Sequence, residues 1–140
     1  MKNFHLTITT LERIVFDYDV ASVTMPGDAG ELTILPDHMP LITALKLGEI
    51  TARRNGENFY MAISSGMTEV QPNKVLILAD QAERAEEIDE KLAEEARARA
   101  EKIMQEKRGD EQAFAQAAAE LERALLRLKI VRKHRSRSQD

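Results

Sequence analysis

The hydrophobic period of this chain changes once, near residue 83, and that change restricts the fold more than any other feature. Before it, Phe4, Leu6 and Ile8 alternate with His5, Thr7 and Thr9, the period of two that gives a strand one buried face. After it, Ile88, Leu92, Ala96, Ala100 and Ile103 recur three to four residues apart, the period of a helix. The chain must therefore build β structure first and helices second.

Further strands are expected over 20–25, ended by Pro26-Gly27-Asp28, and over 31–35, closed by Pro36-Asp37. A strand over 45–54 meets Asn55-Gly56, the dipeptide of a two-residue hairpin, and its partner begins at Phe59. Residues 67–70 and 73–80 complete the set. In the last, Leu76 and Leu78 alternate with Val75, Ile77 and Ala79, so both faces are apolar. Such a strand is expected to be central, or covered on its outer side by the second half. No helix of four turns fits before Asp80. The fold class that follows is an all-β sandwich of about ten strands, then a C-terminal antiparallel two-helix hairpin. The boundaries are a sandwich over 1–84, a hairpin over 85–130 and a frayed basic tail over 131–140.

Gly109 suits a left-handed helix end and Asp110 the cap of the next helix. The second helix would present Phe114, Ala117, Ala118, Leu121, Leu125 and Leu128. Alanine-rich facing stripes bury little apolar area, so the hairpin is expected to dock weakly and to move.

Residue types exclude several functions. There is no cysteine, and His5, His38 and His134 lie in unrelated segments without metal-ligand spacing. The six glycines stand singly, with no phosphate-cradling loop. No catalytic constellation can be assembled. No apolar run approaches the roughly 20 residues of a membrane span, and the first residues lack a signal-peptide core, so a protein of the cytoplasm or of an organelle interior is expected. The tail carries Lys129, Arg132, Lys133, Arg135 and Arg137, but the acidic sandwich and the 4% aromatic content argue against nucleic acid as partner. One segment stands out: residues 27–40, GDAGELTILPDHMP, bracket a short strand with rigid turns, the kind of surface segment that binds.

That segment, within Pro26-Gly27-Asp28-Ala29-Gly30-Glu31-Leu32-Thr33-Ile34-Leu35-Pro36-Asp37-His38-Met39-Pro40-Leu41-Ile42, resembles the signature of the epsilon subunit family of bacterial rotary ATP synthases. Leu45-Lys46-Leu47-Gly48-Glu49-Ile50, Val75-Leu76-Ile77-Leu78-Ala79-Asp80 and residues 119–128 continue the likeness over nearly the whole chain. The resemblance implies a non-catalytic rotor subunit on the cytoplasmic side of the bacterial plasma membrane. Its sandwich would dock to the gamma subunit and the c-subunit ring through Gly30, Glu31, Leu32, His38 and Pro40, with Glu31 and His38 together where the family's sandwich meets the c-ring loops. Its hairpin would extend toward the alpha and beta subunits and restrain ATP hydrolysis, with Arg123, Arg127, Arg132, Lys133 and Arg135 gripping an acidic segment. Many bacterial members bind ATP in the folded hairpin, and Asp89, Arg123 and Arg127 match that site. Leu92 stands where the family has arginine, and leucine cannot imitate a phosphate-facing guanidinium, which argues against ATP as a cofactor. The alternative reading is a free-standing, non-catalytic binding module of the same architecture.

Overall fold

The computed structural model describes residues 2–139, with side chains through Arg137. Met1 and Asp140, the outermost positions of the first and last expected segments, lie outside the described residues. Ten strands form in chain order: β1 (Phe4–Thr9), β2 (Ile14–Val20), β3 (Ser22–Gly27), β4 (Gly30–Ile34), β5 (Leu41–Leu45), β6 (Gly48–Arg54), β7 (Glu57–Ile63), β8 (Gly66–Val70), β9 (Lys74–Ala79) and β10 (Ala82–Arg84). A single 3-10 turn (Ala85–Glu87) leads to helices α1 (Glu90–Glu106) and α2 (Glu111–Gln139).

The strands run in the order β10-β7-β6-β3-β5-β8-β9-β1-β2, with β4 beside β3. β3 begins next to β6, where Ser22 faces Arg53, and ends next to β5, where Gly27 faces Leu45. It thus carries the sheet around a corner and folds it into two layers. All described pairings are antiparallel except β1 with β9. Between the layers lie Leu6, Ile8, Val23, Met25, Ile50, Met61, Ile63 and Ile77, each essentially without solvent contact. The aliphatic core follows from a chain with so few rings.

The Asn55-Gly56 hairpin forms as expected. Asn55 takes φ 52° and Gly56 φ 80°, and Arg54 pairs with Glu57 across a two-residue turn. Three strands were not separately expected: β2, β5 and the short β10. β2 is the edge strand and leaves Asp17, Tyr18 and Asp19 exposed. Its residues therefore lack the clean alternation that a half-buried strand shows.

The expectation for residues 73–80, central or else covered by the second half, is met by the first alternative. β9 is internal to the sheet, between β8 and β1, but the hairpin does not cover it. Leu76 and Leu78 stay exposed, because α2 packs on β6 and β7 in the other layer.

The hairpin turns at residues 107–110 without a left-handed glycine. Gly109 does not have positive φ; the Lys107 N–H closes on the Ile103 carbonyl at 2.8 Å, and the Asp110 N–H on the Lys107 carbonyl at 3.0 Å. Asp110 caps α2 as expected, accepting the Ala113 N–H at 3.1 Å. Ala100, Ala117 and Leu128 of the expected stripes are buried, but Ala93 and Ala124 are buried as well, while Leu92 and Leu125 face solvent. Small residues let the helix backbones approach and leave the two leucines outside.

α2 does not stop at residue 130. It continues through Gln139, 29 residues and about 43 Å at 1.5 Å per residue. Ile130, completely buried, joins Ala62, Ala85 and Ile88 in a small apolar joint flanked by Tyr60, Leu126 and Val131. This joint seats the helix on the outer face of β7.

Candidate functional site

Two surfaces concentrate the functional residues. The first is the outer face of β5, β8 and β9. Met67 and Leu78 are register partners, Glu69 faces Leu76 on one side and Ile42 on the other, and all three leucine or isoleucine side chains are exposed. Just before β5, Met39 and Leu35 are exposed as well, so an apolar surface runs from the loop onto the sheet. The loop is fixed in place. Asp37 takes φ 66°, donates its N–H to the Pro72 carbonyl at 2.8 Å and pairs with Lys2. His38 Nδ1 lies 2.8 Å from the Met39 carbonyl.

The flagged residues 27–40 do not converge on one spot. Glu31 is opposite Pro26 beside the Gly27–Gly30 turn, at the corner next to Leu45. His38 and Pro40 lie at the other end of β5, near Val70 and Pro72. Gly30, at φ 139°, makes the turn, and Leu32 packs partly buried against the core. Only Glu31 of the corner trio points an exposed polar group outward.

The second surface is a cleft of about 610 Å³ between the sandwich and the hairpin, lined by Arg13, Glu83, Glu87, Arg99, Arg123 and Arg127 among others. Arg127 Nε donates to Glu83 Oε1 at 2.6 Å and bridges the two halves. Arg13 Nη1 is 2.8 Å from Glu87 Oε2, while the Arg84 backbone and guanidinium also donate to that carboxylate. Burial works to raise the Glu87 pKa, but the hydrogen bonds from Arg13 and Arg84 outweigh it and bring it to about 2. Arg123 lines the cleft and makes no ion pair among the described residues.

The expected nucleotide residues divide. Arg123 and Arg127 face the cleft, but Asp89 is spent on capping α1, accepting the Leu92 N–H at 3.2 Å. Leu92 is exposed and does not line the cleft.

The basic residues of 131–137 are engaged, Lys133 with the sandwich and Arg132 and Arg135 with α1 inside the hairpin. Lys133 Nζ is 2.9 Å from both carboxylate oxygens of Glu49, Arg132 reaches Glu94 at 3.5 Å, and Arg135 pairs with Glu90. Sequence reasoning missed Glu49, Glu83 and Arg13. Their partners are distant in sequence, and a single acid on the outward side of a strand gives no local signal.

Elsewhere, His5 on β1 bridges Asp19 at 2.8 Å and Asp17 at 2.6 Å; these bonds, Asp19 first, raise its pKa. Among the described residues no group of three or more His, Asp or Glu side chains is placed to hold a metal ion. Among the described residues no helix is long and apolar enough to cross a membrane.

A sandwich with one bare apolar sheet face and one face carrying a helical hairpin belongs to the class of docking subunits, whose work is contact. Residues 3–85 match the family profile of the ATP synthase delta/epsilon chain β-sandwich domain, and residues 86–132 that of its long α-helix domain. The chain is 45% identical over 139 residues to the ATP synthase epsilon chain of Dehalococcoides mccartyi strain BAV1, covering 99% of each. It is 46% identical over 132 residues to that of Herpetosiphon aurantiacus, covering 94% of this chain and 96% of the relative. Among solved structures, a chain of the Euglena gracilis mitochondrial ATP synthase, OSCP/F1/c-ring, superposes with a TM-score of 0.76 at 26% identity, over 87% of this chain and 77% of that one. A chain of the Tetrahymena thermophila mitochondrial ATP synthase shares the fold, with a TM-score of 0.57 at 14% identity, over 93% and 97%. The chain belongs to the ATP synthase delta/epsilon chain family. As a member it is a non-catalytic central-stalk subunit of a rotary ATP synthase.

Proposed function

We propose that the sandwich is the docking half of this rotor subunit and the hairpin its controlling half. The bare face of Ile42, Met67, Leu76 and Leu78, with the loop of His38, Met39 and Pro40, receives the gamma subunit. The corner of Gly30, Glu31 and Leu32 meets the c-subunit ring. The hairpin leaves the cleft and extends toward the alpha and beta subunits, where Arg123, Arg127, Arg132, Lys133 and Arg135 grip an acidic surface and slow ATP hydrolysis. The subunit would thus sit peripherally on the cytoplasmic face of a bacterial plasma membrane, as its bacterial relatives suggest.

One observation carries the reading: the two outer faces are used differently. An exposed apolar patch rimmed by polar groups marks a protein interface, whereas the opposite face holds the hairpin through a small apolar joint and a set of ion pairs. Each such pair contributes little, so their sum is a reversible attachment.

The test is hydrolysis by the assembled ATP synthase with residues 89–140 deleted. That boundary preserves β10 and the turn after it, so the sandwich keeps all ten strands. Faster hydrolysis by a fully assembled enzyme is expected. Unchanged hydrolysis in an intact assembly would remove the controlling role from the hairpin, and loss of assembly would move docking from the sandwich to the helices.

A further inference from the structure

Lys129, Lys133 and Arg137 are spaced by four along α2 and so share one helix face. All three are directed at the same part of the sandwich. Lys133 Nζ touches both Glu49 oxygens at 2.9 Å and stands 5.5 Å from the centre of the Tyr60 ring. Lys129 Nζ is 4.0 Å from Glu49 Oε2. The Arg137 guanidinium donates to the Asn58 carbonyl and lies 4.9 Å over the Phe59 ring. Glu49 itself is set into β6: its side chain is only 12% exposed, and Thr51 Oγ1 donates to it at 3.1 Å.

This arrangement differs from a loose surface pair. A carboxylate largely removed from water and held by a neighbouring hydroxyl needs a cation to satisfy it. Aromatic faces beside the cations strengthen their seating. Ile130 and Val131, in the same turns, are in the apolar joint. Polar and apolar contacts therefore fasten one continuous stretch of helix.

We propose that Glu49 with the Asn58–Tyr60 edge of β7 forms a clasp for the last two turns of α2, so that Lys133 serves either the sandwich or an acidic partner surface, never both. The consequence rests on the reading above: release of the clasp and engagement of the partner become a single exchange of ion pairs. An acidic surface competes with Glu49 for the same ammonium. A hairpin that has left the cleft cannot return while that surface holds Lys133. The clasp sets the threshold for extension from the far end of the hairpin, independently of the cleft around Arg127.

The test is amide hydrogen exchange of residues 129–137 in the isolated full-length chain, for E49Q, K133M and the double variant. Each single variant is expected to speed exchange of this segment about tenfold, equivalent to roughly 1.4 kcal/mol, with β3 and β9 unchanged. The double variant should be no faster than the quicker single one, because both remove the same interaction. Exchange unchanged in E49Q, or effects that simply add in the double variant, would overturn the clasp. A parallel assay of the assembled enzyme separates the two claims. E49Q that opens the segment and deepens inhibition of hydrolysis supports both. E49Q that opens it with hydrolysis unaltered leaves the clasp standing and refutes the controlling role of the hairpin.

Discussion

Arg127 Nε lies 2.6 Å from Glu83 Oε1, joining the middle of α2 to the last strand of the sandwich across 44 residues of chain. Both side chains are about 30% exposed, and the second guanidinium nitrogen also reaches Glu83, at 3.3 Å. Such a forked, partly shielded pair exceeds an ordinary surface pair in strength. Replacing Arg127 with Met should weaken docking of the hairpin by about 1–2 kcal/mol. Hydrogen exchange should register this as faster opening of α2, with the sandwich strands unaffected.

The five basic residues assigned to the acidic partner are not equivalent. Arg123 lines the cleft without an ion pair among the described residues, while Lys133 is held by Glu49. R123A should leave the folded hairpin as it is and weaken inhibition alone, by less than about 1 kcal/mol for one rim charge. K133A should loosen the folded state as well, so its net effect on hydrolysis is smaller than its effect on exchange. Comparing the two variants in both assays checks the division. Equal effects of both variants on exchange would contradict it.

Glu87 gives the junction a pH dependence with a definite sign. Its pKa falls from an ordinary 4.5 to about 2 under Arg13 and Arg84, against the opposing effect of burial. The pair therefore stabilises fully above about pH 4.5 and is lost as pH falls from there toward 2. Titration of the Glu87 carboxyl by NMR should show a midpoint far below that of a free glutamate. R13M should move it upward. A Glu87 midpoint that stays put in R13M would assign the shift to Arg84 alone.

Much of this fold was legible because its signals are local. The change of period near residue 83, the Asn55-Gly56 turn and the Asp110 cap all act within a few residues. The two-sided apolar character of β9 was equally visible and marked a central strand, but not whether its outer face is covered. The same pattern marks a strand beneath a helix and a strand facing another subunit, and only the placement of α2 on β7 separates them. The contacts of the tail were not legible for a related reason. Basic residues at a helix end read as solvated until Glu49, 84 residues away from Lys133, is brought beneath them. Gly109 shows the limit of propensity: a glycine that could adopt a left-handed conformation is not obliged to do so. For the candidate site, the segment 27–40 stood out by its two prolines and its turns, although Ile34 within it is buried in the core. Its division between two ends of the sandwich depends on strand register, which no short motif encodes.

Gly66 offers a test of the sandwich itself. It pairs with Leu45 on one side and Ala79 on the other, and a Cβ there would lie 2.3 Å from the Leu78 carbonyl oxygen and 2.9 Å from Ala79 Cα. Both are backbone atoms that cannot swing aside. G66A should destabilise the sandwich by about 2–3 kcal/mol through overpacking, read as a lower urea midpoint at constant m-value. A change below about 0.5 kcal/mol would mean that β8 and β9 separate more easily than their register suggests.

The bare face of β5, β8 and β9 makes a sharper demand: if it receives gamma, its residues are peripheral to the fold and necessary to docking. Leu76 and Leu78 are 41% and 45% exposed and outside the core, so converting both to Glu leaves the core intact, and the repulsion of L76E by Glu69 opposite it adds a few tenths of a kcal/mol. Surface substitutions of this kind usually change stability by about 0.5 kcal/mol or less. In an assembly the same side chains would lie against gamma, and an interface cannot accept two unpaired carboxylates without a cost of several kcal/mol. L76E/L78E should therefore melt within a few degrees of the unaltered chain but fail to enter the ATP synthase. The matching control is L92E, on the exposed side of the hairpin, which should assemble normally. Pull-down of the assembly through another subunit reads both outcomes. Normal incorporation of L76E/L78E would show that gamma docks elsewhere on the sandwich, and the apolar face would then need a different partner.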